Sequence, residues 1–94
     1  MALGRISPQQ NSINIYPNPV KDIATLEINT AEPTSNLSIL ILDLRGRILY
    51  KKIASSIEYP KVEKINLSWV SKGVYIVDVF IDGSIKHTKR IIKL

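Results

Sequence analysis

His87 is the one histidine in the chain, and it sits among Lys86, Lys89 and Arg90. A general base at that position would need a carboxylate or hydroxyl to orient it, and its nearest charged neighbours in sequence are all cationic. Serine and aspartate are available for a Ser–His–Asp set, but no G-x-S-x-G turn occurs to raise a serine into reach. The eight carboxylates are scattered, and no D-x-D-x-D-G loop offers a calcium shell. Phosphate loops of the G-x-x-x-x-G-K-S/T kind and dinucleotide fingerprints are also missing. There is no cysteine, which removes disulfides and thiolate metal sites. These residue types point away from catalysis. No catalytic, cofactor-binding or metal-binding residue is expected, and His87 reads as a surface residue on an edge strand.

The charge balance narrows the partners further. The net charge is +5, densest at Lys51-Lys52 and at Lys86-His87-Thr88-Lys89-Arg90. Neither cluster interleaves aromatic residues or carries a nucleic-acid motif, so a solvated basic surface is expected rather than a nucleic-acid interface. No apolar run approaches the roughly 18 residues a spanning helix needs, so no membrane insertion is expected. Met1-Ala2-Leu3-Gly4-Arg5 has no apolar core of a signal peptide.

The elements behind these residues follow from punctuation and parity. At 94 residues the chain is expected to hold one domain, with residues 1–12 as linker or expression remnant and 13–94 folded. Ile13 to Tyr16 alternates and stops at Pro17. Ile23 to Asn29 places Ala24, Leu26 and Ile28 on one face. Thr30 to Asn36 reads as a loop, and Leu37 to Leu44 as an almost wholly apolar strand. Arg45-Gly46 is a tight turn into a fourth strand, Arg47 to Ala54, making Leu37–Ala54 a hairpin. Ser55 to Lys61 reads as a loop containing Tyr59-Pro60. Val62 to Ser68 follows with Ile65 and Leu67 inward, then a connection from Trp69 to Gly73. Val74 to Ile81 is a sixth strand, with Tyr75, Val77, Val79 and Ile81 inward and Asp78 outward. Asp82-Gly83-Ser84 is a hairpin turn into the seventh strand, Ile85 to Leu94. Short strands at this spacing, with no helical period, predict an all-β fold: a seven-stranded antiparallel sandwich. Two points stay open. Ile91 and Ile92 cannot both face inward, and Leu40, Leu42 and Leu44 form an outer apolar trio. That trio is either covered by a loop or a neighbouring domain or used for docking.

Four pieces then recur in order. They are Tyr16-Pro17-Asn18-Pro19; Ile39 to Arg47 with Asp43, Gly46 and Arg47; Ile65 to Val77 with Gly73 and Tyr75; and Lys89-Arg90-Ile91-Ile92-Lys93-Leu94. Together the chain resembles the C-terminal sorting domain of type IX secretion system cargo, the type A or Por secretion class, from Ile13 to Leu94. The resemblance implies an immunoglobulin-like β-sandwich and a non-catalytic sorting signal at the end of a larger secreted protein. It implies recognition by an outer-membrane translocon and shuttle proteins, then removal by a cell-surface sortase. Gly4 to Ile13 is the segment where that cut is expected. The implied location is the periplasm in transit, then the cell surface or medium. A monomer is expected. The implied sorting-motif residues are Tyr16, Pro17, Asn18, Pro19, Asp43, Gly46, Arg47, Gly73, Tyr75, Lys89, Arg90 and Lys93. Trp69, Leu40 and Leu42 depart from the usual smaller or polar residues. The rival reading is an immunoglobulin-like adhesion or glycan-binding module that stays on the mature protein.

Each motif also has a folding explanation. Pro17 and Pro19 remove backbone donors and restrict Tyr16 and Asn18, which would end the first strand and carry the chain between sheets. Gly46 suits a turn. Gly73 eases entry to the sixth strand, and Tyr75 is expected to pack inward with its hydroxyl on a backbone partner, as in a tyrosine corner. Only the basic, apolar end at Lys89–Leu94 answers to no turn, and strand addition at an edge would give it a recognition mechanism.

Overall fold

Alternation of apolar and polar residues governs every strand. The computed structural model describes residues 12–30, 34–58, 60–83 and 85–94. They form β1 (Ser12–Tyr16), β2 (Ile23–Asn29), β3 (Thr34–Leu42), β4 (Ile48–Ile57), β5 (Lys61–Asn66), β6 (Gly73–Ile81) and β7 (Ile85–Lys93). One sheet has the order β1-β2-β5 and the other β4-β3-β6-β7, with every strand pair antiparallel. The two inner faces close one core, as in an immunoglobulin-like sandwich. From the smaller sheet come Ile13, Ala24, Leu26, Ile28 and Ile65; from the larger come Leu37, Ile39, Ile41, Val77, Val79 and Ile91. Each of the valine, leucine and isoleucine side chains, hidden from water, contributes about 1.5–3 kcal/mol.

Parity is borne out where it was read. Tyr75, Val77, Val79 and Ile81 are buried, and Asp78 faces outward to accept a hydrogen bond from the Thr88 hydroxyl at 2.7 Å. The open case in β7 resolves in favour of Ile91, fully buried opposite Tyr75, with Ile92 outward at 42% exposure. The Asp82-Gly83 turn has positive φ at both positions, 53° and 74°, as a tight hairpin between right-twisted strands requires. Ser84 of that turn lies outside the described residues.

Several boundaries move, for reasons beyond the apolar pattern. β3 begins at Thr34 rather than Leu37, so the end of the expected loop is strand; residues 31–33 of that loop lie outside the described residues. The Asp82 carboxylate accepts the Ser35 and Asn36 amides at 2.9 Å each, and its own amide donates to the Asn36 carbonyl at 2.8 Å. A turn side chain from the neighbouring hairpin thus prolongs β3 past its apolar residues. β3 ends at Leu42, so Asp43 and Leu44 belong to the turn and Leu44 leaves the outer trio, 69% exposed. β4 starts at Ile48, after Arg47, and runs on to Ile57 through the first part of a predicted loop; Tyr59 of that loop lies outside the described residues. β5 stops at Asn66 because Asn66 Oδ1 takes the Ser68 amide at 2.9 Å and turns the chain. Leu67 still reaches the core, 2% exposed, with its amide donating to the Asp22 carbonyl at 2.7 Å. Ser12 opens β1, whereas the rest of the expected linker, residues 1–11, lies outside the described residues.

Two expectations are corrected outright. His87 is not a surface residue: its side chain is half-buried on the inner side of β7, with Nε2 enclosed and without a hydrogen-bond partner among the described residues. The proline segment does not carry the chain between sheets, since β1 and β2 are bonded neighbours of one sheet. It makes an excursion instead. Val20 bridges to Lys93 of β7 in the other sheet, and the chain returns to begin β2.

A charged clasp closes the opposite flank. Lys52 on β4 bonds Glu63 on β5, and Lys61 Nζ lies 3.5 Å from the same carboxylate. Burial pushes the Glu63 carboxyl upward most strongly, but the hydrogen bonds and charges of Lys52 and Lys61 together outweigh it and hold the group below its usual range. The bond to Glu63 in turn raises Lys52. Tyr50 beside them is raised chiefly by burial.

Candidate functional site

The register brings the ends of four elements together. Leu42 at the end of β3 pairs with Ile48 at the start of β4 and with Ile76 near the start of β6. Gly73, the first residue of β6, pairs with Lys93, the last of β7. Val20 bridges to that same Lys93. The four sequence motifs, up to 74 positions apart, therefore meet at one end of the sandwich.

The junction of the first and last motifs is made by one amide side chain. Asn18 Nδ2 donates to the Arg90 carbonyl at 3.0 Å, and the Ile92 amide donates to Asn18 Oδ1 at 2.9 Å. The Val20 amide then donates to the Ile92 carbonyl, and the Leu94 amide to the Val20 carbonyl, each at 2.8 Å. Asn18 thus acts as one more peptide unit along the β7 edge. Tyr16, Pro17, Asn18 and Pro19 are exposed while Val20 is fully buried, so Val20 anchors the segment and the motif residues face water. The Tyr16 hydroxyl donates to Glu27 Oε2 at 2.8 Å, and that bond pushes the phenol's pKa upward. Both X-Pro bonds, Tyr16-Pro17 and Asn18-Pro19, are cis. The terminal strand is consequently less open than its edge position suggests: the edge bonds at Ile92 and Leu94 are already taken. Lys89 and Arg90 are exposed, whereas Lys93 is only 7% exposed and donates to the Leu94 carbonyl oxygen at 2.9 Å.

Asp43, Gly46 and Arg47 build a self-contained turn. Asp43 Oδ1 accepts the amides of Arg45 and Arg47 at 2.9 Å each, and Oδ2 accepts Arg47 Nε at 3.0 Å. The Arg47 amide is the main cause holding the Asp43 carboxyl below its usual range; the Arg45 amide and the guanidinium add to it, against some desolvation. Gly46 donates to the Asp43 carbonyl at 3.0 Å with φ at 88°. A Cβ there would meet nothing within 4 Å, so the need for glycine is conformational and not spatial. Gly46→Ala is expected to cost about 1–2 kcal/mol, the left-handed penalty alone, measurable as a lower urea midpoint with an unchanged slope.

The folded carboxylates set a pH dependence. Asp43 and Glu63 are both held below their ordinary values. A depressed carboxylate contributes stability that is complete above its unfolded pKa, about 4, and is lost as pH falls through the folded value. Melting temperature is therefore expected to hold between neutral pH and about pH 5 and to fall below about pH 4. Asp43→Asn should melt lower at neutral pH and show a shallower acid decline; identical profiles would contradict this account.

Tyr75 and Gly73 complete the end. The Tyr75 hydroxyl donates to the Ser71 carbonyl at 2.7 Å, the corner expected of it, and its ring is buried. Gly73 has φ at 152°, and a Cβ there would touch the Tyr75 ring only at ordinary contact distance, 3.8 Å. Trp69 is 61% exposed, with its indole Nε1 donating to the Asn66 carbonyl at 2.9 Å.

Comparison with known proteins decides what this end belongs to. The family model described as "Secretion system C-terminal sorting domain" matches residues 14–94. The chain belongs to this family. It is a type IX secretion sorting domain, of a kind that engages the secretion machinery and marks a protein for the cell surface or medium. Among solved structures, the sorting domain is similar to part of the crystal structure of dimeric latent PorU from Porphyromonas gingivalis, with TM-score 0.64 and 21% identity. That likeness covers 98% of this chain and 10% of the other, so it speaks for the fold. No match is found among curated proteins.

Two contributors to the site escaped sequence reading. Val20 is not singled out by the strand pattern, although an apolar residue directly after Pro19 in a polar stretch is a usable signal. Asn66, which turns the chain below Trp69, had no distinguishing signal, since an asparagine ending a strand is common.

Proposed function

We propose that this domain directs a larger protein across the outer membrane as a non-catalytic signal. It is read in folded form by translocon and shuttle proteins in the periplasm. It is then removed by a surface sortase that cuts near the start of the domain, between Gly4 and Ile13. The observation that carries the reading is the family match over residues 14–94. The gathering of the four motifs at one end supports recognition of a folded surface rather than of a linear peptide. The motif residues divide by role. Asp43, Gly46, Gly73, Tyr75 and Lys93 hold the end together, while Tyr16, Pro17, Asn18, Pro19, Arg47, Lys89 and Arg90 are exposed for contact.

The test is a fluorescent protein sent to the periplasm with residues 4–94 fused behind it, in a bacterium carrying the system. Export to the surface or medium is expected, with mass spectrometry finding the cargo without the domain. Retention of the intact fusion in the periplasm would sink the reading. An exported cargo that keeps the domain would instead favour the retained adhesion module.

A further inference from the structure

Two grooves flank the Asp43–Arg47 turn. One, of about 420 Å³, runs between Leu44, Arg45, Lys72 and Val74; the other, of about 310 Å³, lies between Leu49, Trp69, Val70 and Ser71. Asp43, Arg47 and Tyr75 form the wall common to both. We propose that these grooves form one seat for an extended acidic and partly apolar segment of a partner protein, a proposal that rests on the domain being recognised as a sorting signal.

Charge is the first argument. Arg45, Arg47 and Lys72 line the grooves and are exposed. Among the described residues Asp43 is the one carboxylate on these walls, and its oxygens already hold two amides and the Arg47 guanidinium. The seat is thus net positive, and its own acid is neutralised. Rigidity is the second. Trp69 is held by its bond to Asn66 and Tyr75 by its bond to Ser71, yet the indole remains 61% exposed. Leu44 stands on the other side at 69% exposure. An exposed, preoriented tryptophan in the same groove as an arginine, Arg47, has the composition of an interface anchor. Lining chemistry selects the occupant. The turn amides that could cradle a compact phosphate are spent on Asp43, whereas apolar walls and forked guanidinium groups suit carboxylates spaced along a peptide.

Trp69 is the only tryptophan, so its emission reports the site directly. A blocked peptide alternating glutamate and leucine is titrated into the domain, with a lysine–leucine peptide as counterpart. A saturable change in emission is expected with the acidic peptide alone, weakening as salt rises. The exposed pair Arg45→Glu with Lys72→Glu should weaken it about tenfold or more, with circular dichroism unchanged. Arg47 is left alone because it holds Asp43. No response to the acidic peptide, an equal response to the basic one, or unchanged binding by the double variant would overturn the proposal. In the export assay the double variant should be retained while the parent is exported. Export of both would end the groove proposal and leave the sorting reading standing; failure of the parent would remove the sorting reading itself.

Discussion

Deleting Lys89–Leu94 is expected to unfold the domain, not merely to strip a signal from it. Ile91 is fully buried opposite Tyr75, and its transfer from water alone accounts for about 2–3 kcal/mol. The deletion removes five of the paired positions of β7, Lys89 to Lys93. It also leaves Val20 without its bonds to Ile92 and Leu94, at a net cost of about 1 kcal/mol for each bond lost. Those losses rival the whole stability of a small domain, about 5–15 kcal/mol. Circular dichroism and a urea titration should show no cooperative transition in the deleted protein. A folded deletion product would contradict the core assignment. It follows that loss of export on truncation says nothing by itself about recognition. Lys89→Glu with Arg90→Glu is the informative change, because both side chains are exposed and the strand keeps Ile91.

Val20→Asp is expected to be the most damaging single substitution at the motif end. Val20 is fully buried, and its backbone bonds both Ile92 and Leu94. A carboxylate there has no partner and must either stay protonated or pull the segment off β7, at about 3 kcal/mol or more. Val20→Ala should lose about 2 kcal/mol by the smaller loss of apolar contact. Hydrogen exchange gives the sharper reading: the Leu94 amide, bonded to the Val20 carbonyl, should lose its protection in Val20→Asp before the central strands do. Unchanged protection there would refute the anchoring role. Asn18→Ala separates folding from recognition. It removes two exposed hydrogen bonds to β7, worth about 1 kcal/mol each, and should leave a folded domain. Loss of export in that variant would point to direct reading of the Tyr16–Pro19 surface.

Legibility in the sequence followed the physical origin of each feature. Side-chain alternation has a period of two and needs no partner to be read, which is why the inner faces of β2 and β6 were visible in advance. The Asp82-Gly83 turn was visible too, because positive φ at two successive positions restricts residue choice locally. Boundaries set by a distant side chain were not. β3 runs back to Thr34 through Asp82, some 46 positions away from the amides it holds. β5 yields to Asn66, whose side chain takes over the Ser68 amide. His87 was misread as a surface residue because its neighbours in sequence are charged, while its facing neighbours across the sandwich are not chosen by sequence proximity.

By itself the sequence determined the seven strands, the core residues on most of them, the absence of cysteine chemistry and the four motifs in order. All of these are local, fixed by parity, composition and turn stereochemistry. Only the tertiary structure decided that the motifs are one surface. Tyr16-Pro17-Asn18-Pro19 lies against the last residues of β7 because Asn18 and Val20 satisfy backbone groups that β7 exposes at its edge. Hydrogen bonds of that kind depend on which strand happens to be within 3 Å, and no period along the chain encodes it.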